Sequence, residues 1–115
     1  MDERILKWLY DVDLAISEID SFFENQPKDF IEYKKNLMLK RAVERNLEII
    51  GEAVNRIIKR DSSFENIIDD ARNIIGMRNQ VIHAYDNISD ENVWAILINH
   101  LPALKNSVKG LISNY

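Results

Sequence analysis

The sequence has no cysteine. That excludes a disulfide framework, a thiolate nucleophile and a cysteine-based zinc site, and it suits a reducing compartment such as the cytoplasm. Glycine (three) and proline (two) are scarce, so little of the 115-residue chain is marked as turn or loop. Long apolar runs are missing as well. The opening MDERILKWLYD interrupts any secretory hydrophobic segment with charge, and nothing approaches the roughly 20 apolar residues of a bilayer span. A soluble cytoplasmic protein without a membrane partner is expected. A basic excess is also lacking: the formal net charge is −4, which argues against coating nucleic acid by bulk electrostatics, and DNA is not an expected partner. The basic residues that do cluster, Lys34, Lys35, Lys40, Arg41, Arg45, Arg56, Lys59 and Arg60, alternate with Glu44, Glu48 and Glu52 and read first as a solvated helix face.

What is present is helical periodicity. Ile5, Trp8/Leu9, Val12, Ala15/Ile16, Ile19 and Phe22/Phe23 recur every three or four residues and predict a first helix over about 2 to 25. Pro27 ends it, and Asp29 is placed to cap the next helix. Leu39, Ala42/Val43, Leu47, Ile50, Ala53/Val54 and Ile57/Ile58 predict a second helix from about 30 to 60. Gly51 lies inside it at a cost of up to roughly 1 kcal/mol against alanine, which predicts close approach of another backbone, a ligand or a dimer partner. Ser62 and Glu65 form a capping box for a third helix carrying Ile67/Ile68, Ala71, Ile74/Ile75 and Val81/Ile82. After a turn at DNISDEN, Ser89 or Asp90 caps a fourth helix over about 90 to 113, with a kink at Pro102. The expectation is one all-α domain over 1–115, an antiparallel four-helix bundle with room for a short extra helix. At this length it buries roughly two-thirds of its unfolded surface. Trp8 and Trp94 read as core or interface anchors, and Met38 and Met77 as packing residues.

One stretch breaks the apolar stripe: RNQVIHAY, residues 78 to 85. On a helix, Asn79 and His83 are about 40° apart and Arg78 about 100° from Asn79, with Tyr85 where the helix should end. The stretch can bring a permanent cation, an imidazole titrating near neutrality, an amide and a phenol to one small volume. Such groups suit a phosphodiester. Metal-independent RNA cleavage needs a base for the 2′-OH, an acid for the leaving 5′-oxygen and a cation for the phosphorane. His83 fits base or acid and Arg78 the cation; two proton-transfer roles from one such histidine imply two chains, and a C₂ dimer supplies them. Read by itself, the same pair also fits a hydrogen-bonded cluster at a bundle end. No metal set is expected, because the other histidine, His100, lies in another helix among apolar neighbours.

Arg-Asn, three residues, His, one residue and Tyr, preceded by IIGM and followed by ENVWAILINHLPALKNSV, resembles the HEPN superfamily, specifically the HepT-like ribonuclease toxins. RAVERNLEIIGEAVNRI at 41 to 57 resembles a helix of the same group. The resemblance implies an all-α homodimer with two motifs facing one cleft, acting on RNA as a metal-independent endoribonuclease toxin without a cofactor. By position it makes Arg78 and His83 the catalytic pair, Asn79 a supporting polar residue and Tyr85 the motif tyrosine. It also implies a partner, a nucleotidyltransferase antitoxin of the MNT type that neutralises the toxin by transferring AMP to Tyr85. A competing expectation is a non-catalytic helical subunit that docks onto such a nucleotidyltransferase, and a third is a structural bundle with no site.

Overall fold

Asp2 accepts a hydrogen bond from the Arg4 amide at 2.8 Å and so opens the first helix, α1 (Glu3–Phe22). The computed structural model describes residues 2 to 83 and 89 to 114, with backbone alone for 80 to 83. The predicted stripe of α1 is its inner face, since Ile5, Leu9, Val12, Ala15, Ile16 and Ile19 are all buried. Asp29 caps α2 (Phe30–Lys35), accepting from the amides of Ile31 at 2.9 Å and Glu32 at 3.3 Å.

The helix expected over 30 to 60 is two helices. Asn36 has extended backbone (φ −103°, ψ 93°), and its side chain accepts from the Leu39 amide at 3.0 Å to cap α3 (Leu37–Arg60). A short amide side chain offers the backbone a local partner in place of helix continuation, which is why the periodicity alone overruns this position. Met38, expected to pack, is 83% exposed just past this break, whereas Met77 is buried.

The third predicted helix is also interrupted. Asp61 rather than Ser62 provides the cap, accepting from the Ser63 amide at 3.1 Å, and only a 3₁₀ turn (Ser62–Glu65) comes after it. Glu65 does not reach back as in a capping box; it binds Arg72. The chain then passes through Asp70 at φ 60°, a left-handed conformation that cannot lie inside a right-handed helix, and α4 (Ala71–His83) begins after it.

Ser89 caps α5 (Asp90–Asn99), accepting from the Asn92 amide at 3.2 Å. Pro102 does not kink a continuous fourth helix. It stands in the first turn of α6 (Leu101–Ser113), where its missing N–H is not needed, and His100 joins the two pieces. The described residues thus form six α-helices and one 3₁₀ turn with no strand, an all-α fold.

The longest helix, α3, is the centre of the packing, with α1 on one flank and α4 on another; α6 closes against α1 and α5. At one end Trp94 gathers Phe23, Phe30 and Tyr33 at ring-centroid distances of 6.1, 5.8 and 5.1 Å, tying α1, α2 and α5 together. Tyr33 is fully buried there, and its hydroxyl has no hydrogen-bond partner among the described residues. Burial, with the Glu44 and Asp90 carboxylates adding to it, pushes this hydroxyl well above its ordinary pKa near 10.

The Tyr33 ring supplies packing while its hydroxyl has no partner among the described residues, so Tyr33→Phe should keep or raise the urea midpoint; a loss of more than about 1 kcal/mol would show that the hydroxyl is bonded. Because the folded pKa is raised, the protein should lose stability as pH rises past about 10, where only the unfolded chain ionises Tyr33. That alkaline slope should be shallower in Tyr33→Phe.

Candidate active site

RNQVIHAY begins inside α4, as the periodicity predicts, so Arg78, Asn79 and His83 share one helix. Arg78 and Asn79 are described in full. His83 is the last residue of α4; its side chain, and the whole of Tyr85, lie outside the described residues. The structure therefore brings Arg78 and Asn79 together, and the convergence expected of His83 and Tyr85 falls outside the described residues.

Arg78 owes its position to α3. Gly51 is buried where α3 crosses α4, and a Cβ built there would run into the Cβ of Arg78, lie 2.8 Å from its Cγ and come within 3.2 Å of the Ile74 carbonyl oxygen. Its φ is an ordinary negative value, so the glycine is required by space and not by backbone conformation. The close approach predicted for Gly51 is thus made within the chain, by the helix that carries the arginine.

The next residue completes the contact. Glu52 Oε2 accepts from Arg78 Nη2, while Glu52 Oε1 accepts from Arg56 Nε at 2.9 Å. Arg78 Nη1 donates to Asn79 Oδ1 at 3.1 Å, and Arg78 Nε is buried without a partner among the described residues. Of the five N–H groups on a guanidinium, two are engaged among the described residues, and of the other three one is the buried Nε–H and two are on the terminal nitrogens. The side chain is 23% exposed, shielded enough to be held and open enough to be reached.

Arg78 lines a cleft of about 380 Å³, to which Trp8 and Asp11 come from α1 and Arg45, Glu48, Glu52 and Arg56 from α3. Trp8 is half-buried at its edge and packs against the core. An always-charged arginine, an amide beside it and an aromatic wall can receive a phosphodiester and the base attached to it.

By spacing alone Glu52 belongs to a solvated face, and the structure corrects this: it is the ion partner of Arg78 from 26 residues away. Glu44 is corrected likewise, being 7% exposed and bonded to Arg41 Nη1 at 2.9 Å. The basic cluster is mostly spent on pairs, with Lys34–Glu91, Lys40–Asp90, Arg45–Glu48 and Arg60–Asp2 joining those already named. His100 is not among apolar neighbours alone; its Nδ1 lies 2.8 Å from Asp70 Oδ2. Among the described residues no three histidine, aspartate or glutamate side chains gather where they could hold a metal ion, and no helix is long and apolar enough to cross a membrane.

A family model described as Ribonuclease HepT-like matches residues 12–111, which span both the α3 segment and the RNQVIHAY stretch. The chain belongs to the HepT-like ribonuclease family. Its relatives include proteins named "Putative RNase". One, from Methanocaldococcus jannaschii, is 34% identical over 112 residues, covering 95% of this chain and 98% of its own. Another from the same organism is 31% identical over 115 residues, with 99% and 93% covered. A third, from Caldanaerobacter subterraneus subsp. tengcongensis, is 32% identical over 83 residues, with 72% and 73% covered. No solved structure matches the chain. Membership in this family makes the chain a ribonuclease, and the cleft beside Arg78 is its candidate active site.

The Gly51 contact yields a direct test. Gly51→Ala improves helix propensity by up to about 1 kcal/mol, yet it sets a methyl against the Arg78 stem and the α4 backbone. Overpacking costs typically about 1–3 kcal/mol, so the variant should unfold at lower urea than the parent. A midpoint at or above the parent's would mean that α3 and α4 separate at no cost.

Proposed function

We propose that this protein is a metal-independent endoribonuclease toxin of a toxin–antitoxin pair. Its site is composite, made when two copies of the chain form a homodimer and bring two RNQVIHAY motifs to one cleft. The observation that carries the reading is Arg78: a guanidinium held on α4 by Gly51, Glu52 and Asn79 at the mouth of a cleft, within a chain of ribonuclease family.

The reaction is a transesterification. A base removes the proton of the RNA 2′-OH, O2′ attacks phosphorus, the P–O5′ bond breaks, and an acid returns a proton to O5′. The products are a 2′,3′-cyclic phosphate and a free 5′-hydroxyl. His83 performs one of the two proton transfers, and the second motif of the dimer supplies the other. Arg78 meets the equatorial oxygens as negative charge builds on them, with Asn79 supporting it. A planar fork of donors suits phosphate oxygens better than a point charge, which is the reason for arginine over lysine here.

The proposed partner is a nucleotidyltransferase antitoxin of the MNT type, and its target is the Tyr85 hydroxyl. Transfer of AMP from ATP, with loss of pyrophosphate, would form O-AMP-tyrosine and set a bulky anion two residues from His83. The adenylate would occupy the arginine in place of RNA.

Purified protein incubated with total cellular RNA in EDTA should cut it and leave 2′,3′-cyclic phosphate ends. His83→Ala and Arg78→Ala should each reduce cleavage by at least about 10²-fold without changing the oligomer, a size of effect usual for loss of a proton-transfer or charge-stabilising group. Undiminished cleavage by His83→Ala would overturn the mechanism. Toxicity absent from the parent, together with stable capture by a nucleotidyltransferase, would favour the docking subunit instead.

A further inference from the structure

The geometry points to Glu52 as a positioning residue for Arg78, acting through the carboxylate bridge it forms between Arg78 and Arg56. This deepens the ribonuclease reading and rests on it, because the arginine to be positioned is the one proposed to meet the phosphate.

The first support is how the carboxylate is used. Each oxygen of Glu52 serves a different arginine: Oε1 receives Arg56 Nε at 2.9 Å and Oε2 receives Arg78 Nη2. Arg56 sits one turn further along α3 and anchors the carboxylate from its own helix, so Glu52 presents Oε2 to α4 in a set direction. The second support is the guanidinium itself. Both terminal nitrogens are held, Nη2 by Glu52 and Nη1 by Asn79 at 3.1 Å, while the stem is pressed against Gly51. Contacts at the stem and at both ends of the fork leave the side chain few rotamers.

Two other roles for Glu52 are weaker. As a purely structural ion pair it would do little, since both members are partly solvated, at 23% and 33% exposure, and such pairs contribute little to stability. As a competitor that blocks Arg78 it would have to saturate the guanidinium. It takes one donor: three of the Arg78 N–H groups, one on each nitrogen, remain free of protein partners among the described residues. An arginine side chain carries substantial rotamer entropy, and fixing it before RNA arrives removes that cost from the transition state.

A positioning role predicts a specific signature. Glu52→Gln keeps the shape but offers one neutral acceptor oxygen, so it cannot bridge two arginines. Its kcat on RNA should fall about ten- to hundred-fold, as for a modest misplacement of a reacting group, while KM changes less than about three-fold. Glu52→Asp retains the charge one methylene short and should fall between Gln and the parent. Glu65→Gln, which breaks the comparable exposed pair with Arg72 on the far part of α4, should leave kcat unchanged.

A second measurement does not depend on activity. ¹⁵N NMR of Arg78 should show slow rotation of its guanidinium in the parent and fast rotation in Glu52→Gln. Cleavage at the parent's rate by Glu52→Gln, with Arg78→Ala inactive, would overturn the positioning role and leave the ribonuclease reading standing. So would free guanidinium rotation in the parent. A parent that cuts no RNA while its Arg78 is held and Glu52→Gln frees it would fail the ribonuclease reading alone.

Discussion

The contact on which the site depends is the crossing of α3 over α4 at Gly51. Only the absence of a side chain there lets the stem of Arg78 lie against α3, and only that closeness puts Glu52 within reach of its guanidinium. The glycine weakens α3 slightly as a helix and in exchange fixes where an arginine stands. A mid-helix glycine with ordinary negative φ is otherwise an unfavourable choice, and here the reason is visible in the neighbouring helix.

Charge is arranged on the same principle. The chain is acidic overall, and its clustered lysines and arginines are largely joined to carboxylates, many of them across helices. A protein built in this way does not attract nucleic acid broadly. What it offers is local: an arginine with unspent donors at a cleft, beside an exposed amide and a half-buried tryptophan. Recognition of RNA by such a surface depends on fit at the scissile phosphate more than on long-range attraction.

Much of this is legible in the residues. The apolar stripes locate α1 and the long run of α3, Asp29 and Ser89 stand out as caps, and Gly51 marks a place of close approach. The breaks are not legible to the same degree. At Asn36, Asp70 and His100 the stripe continues through a discontinuity, because periodicity records which residues are apolar and not whether the backbone between them stays helical. Glu52, a candidate neighbour of the basic residues, is read first as a solvated face for a related reason. Spaced among arginines it looks like an ordinary solvated face, and its partner is 26 residues away on another helix. A signal is nonetheless present: the residue next to a packing glycine lies about 100° round the helix, at the rim of the contact the glycine makes.

The central claim is that α3 holds Arg78 ready for a phosphate, and a structure of the protein bound to an RNA whose 2′-OH is methylated at the cut site tests it most directly. The account predicts a phosphate oxygen within hydrogen-bond distance of the Arg78 guanidinium while Glu52 remains on Nη2. Phosphate that displaces Glu52 from Arg78, or RNA bound away from this cleft, would contradict it.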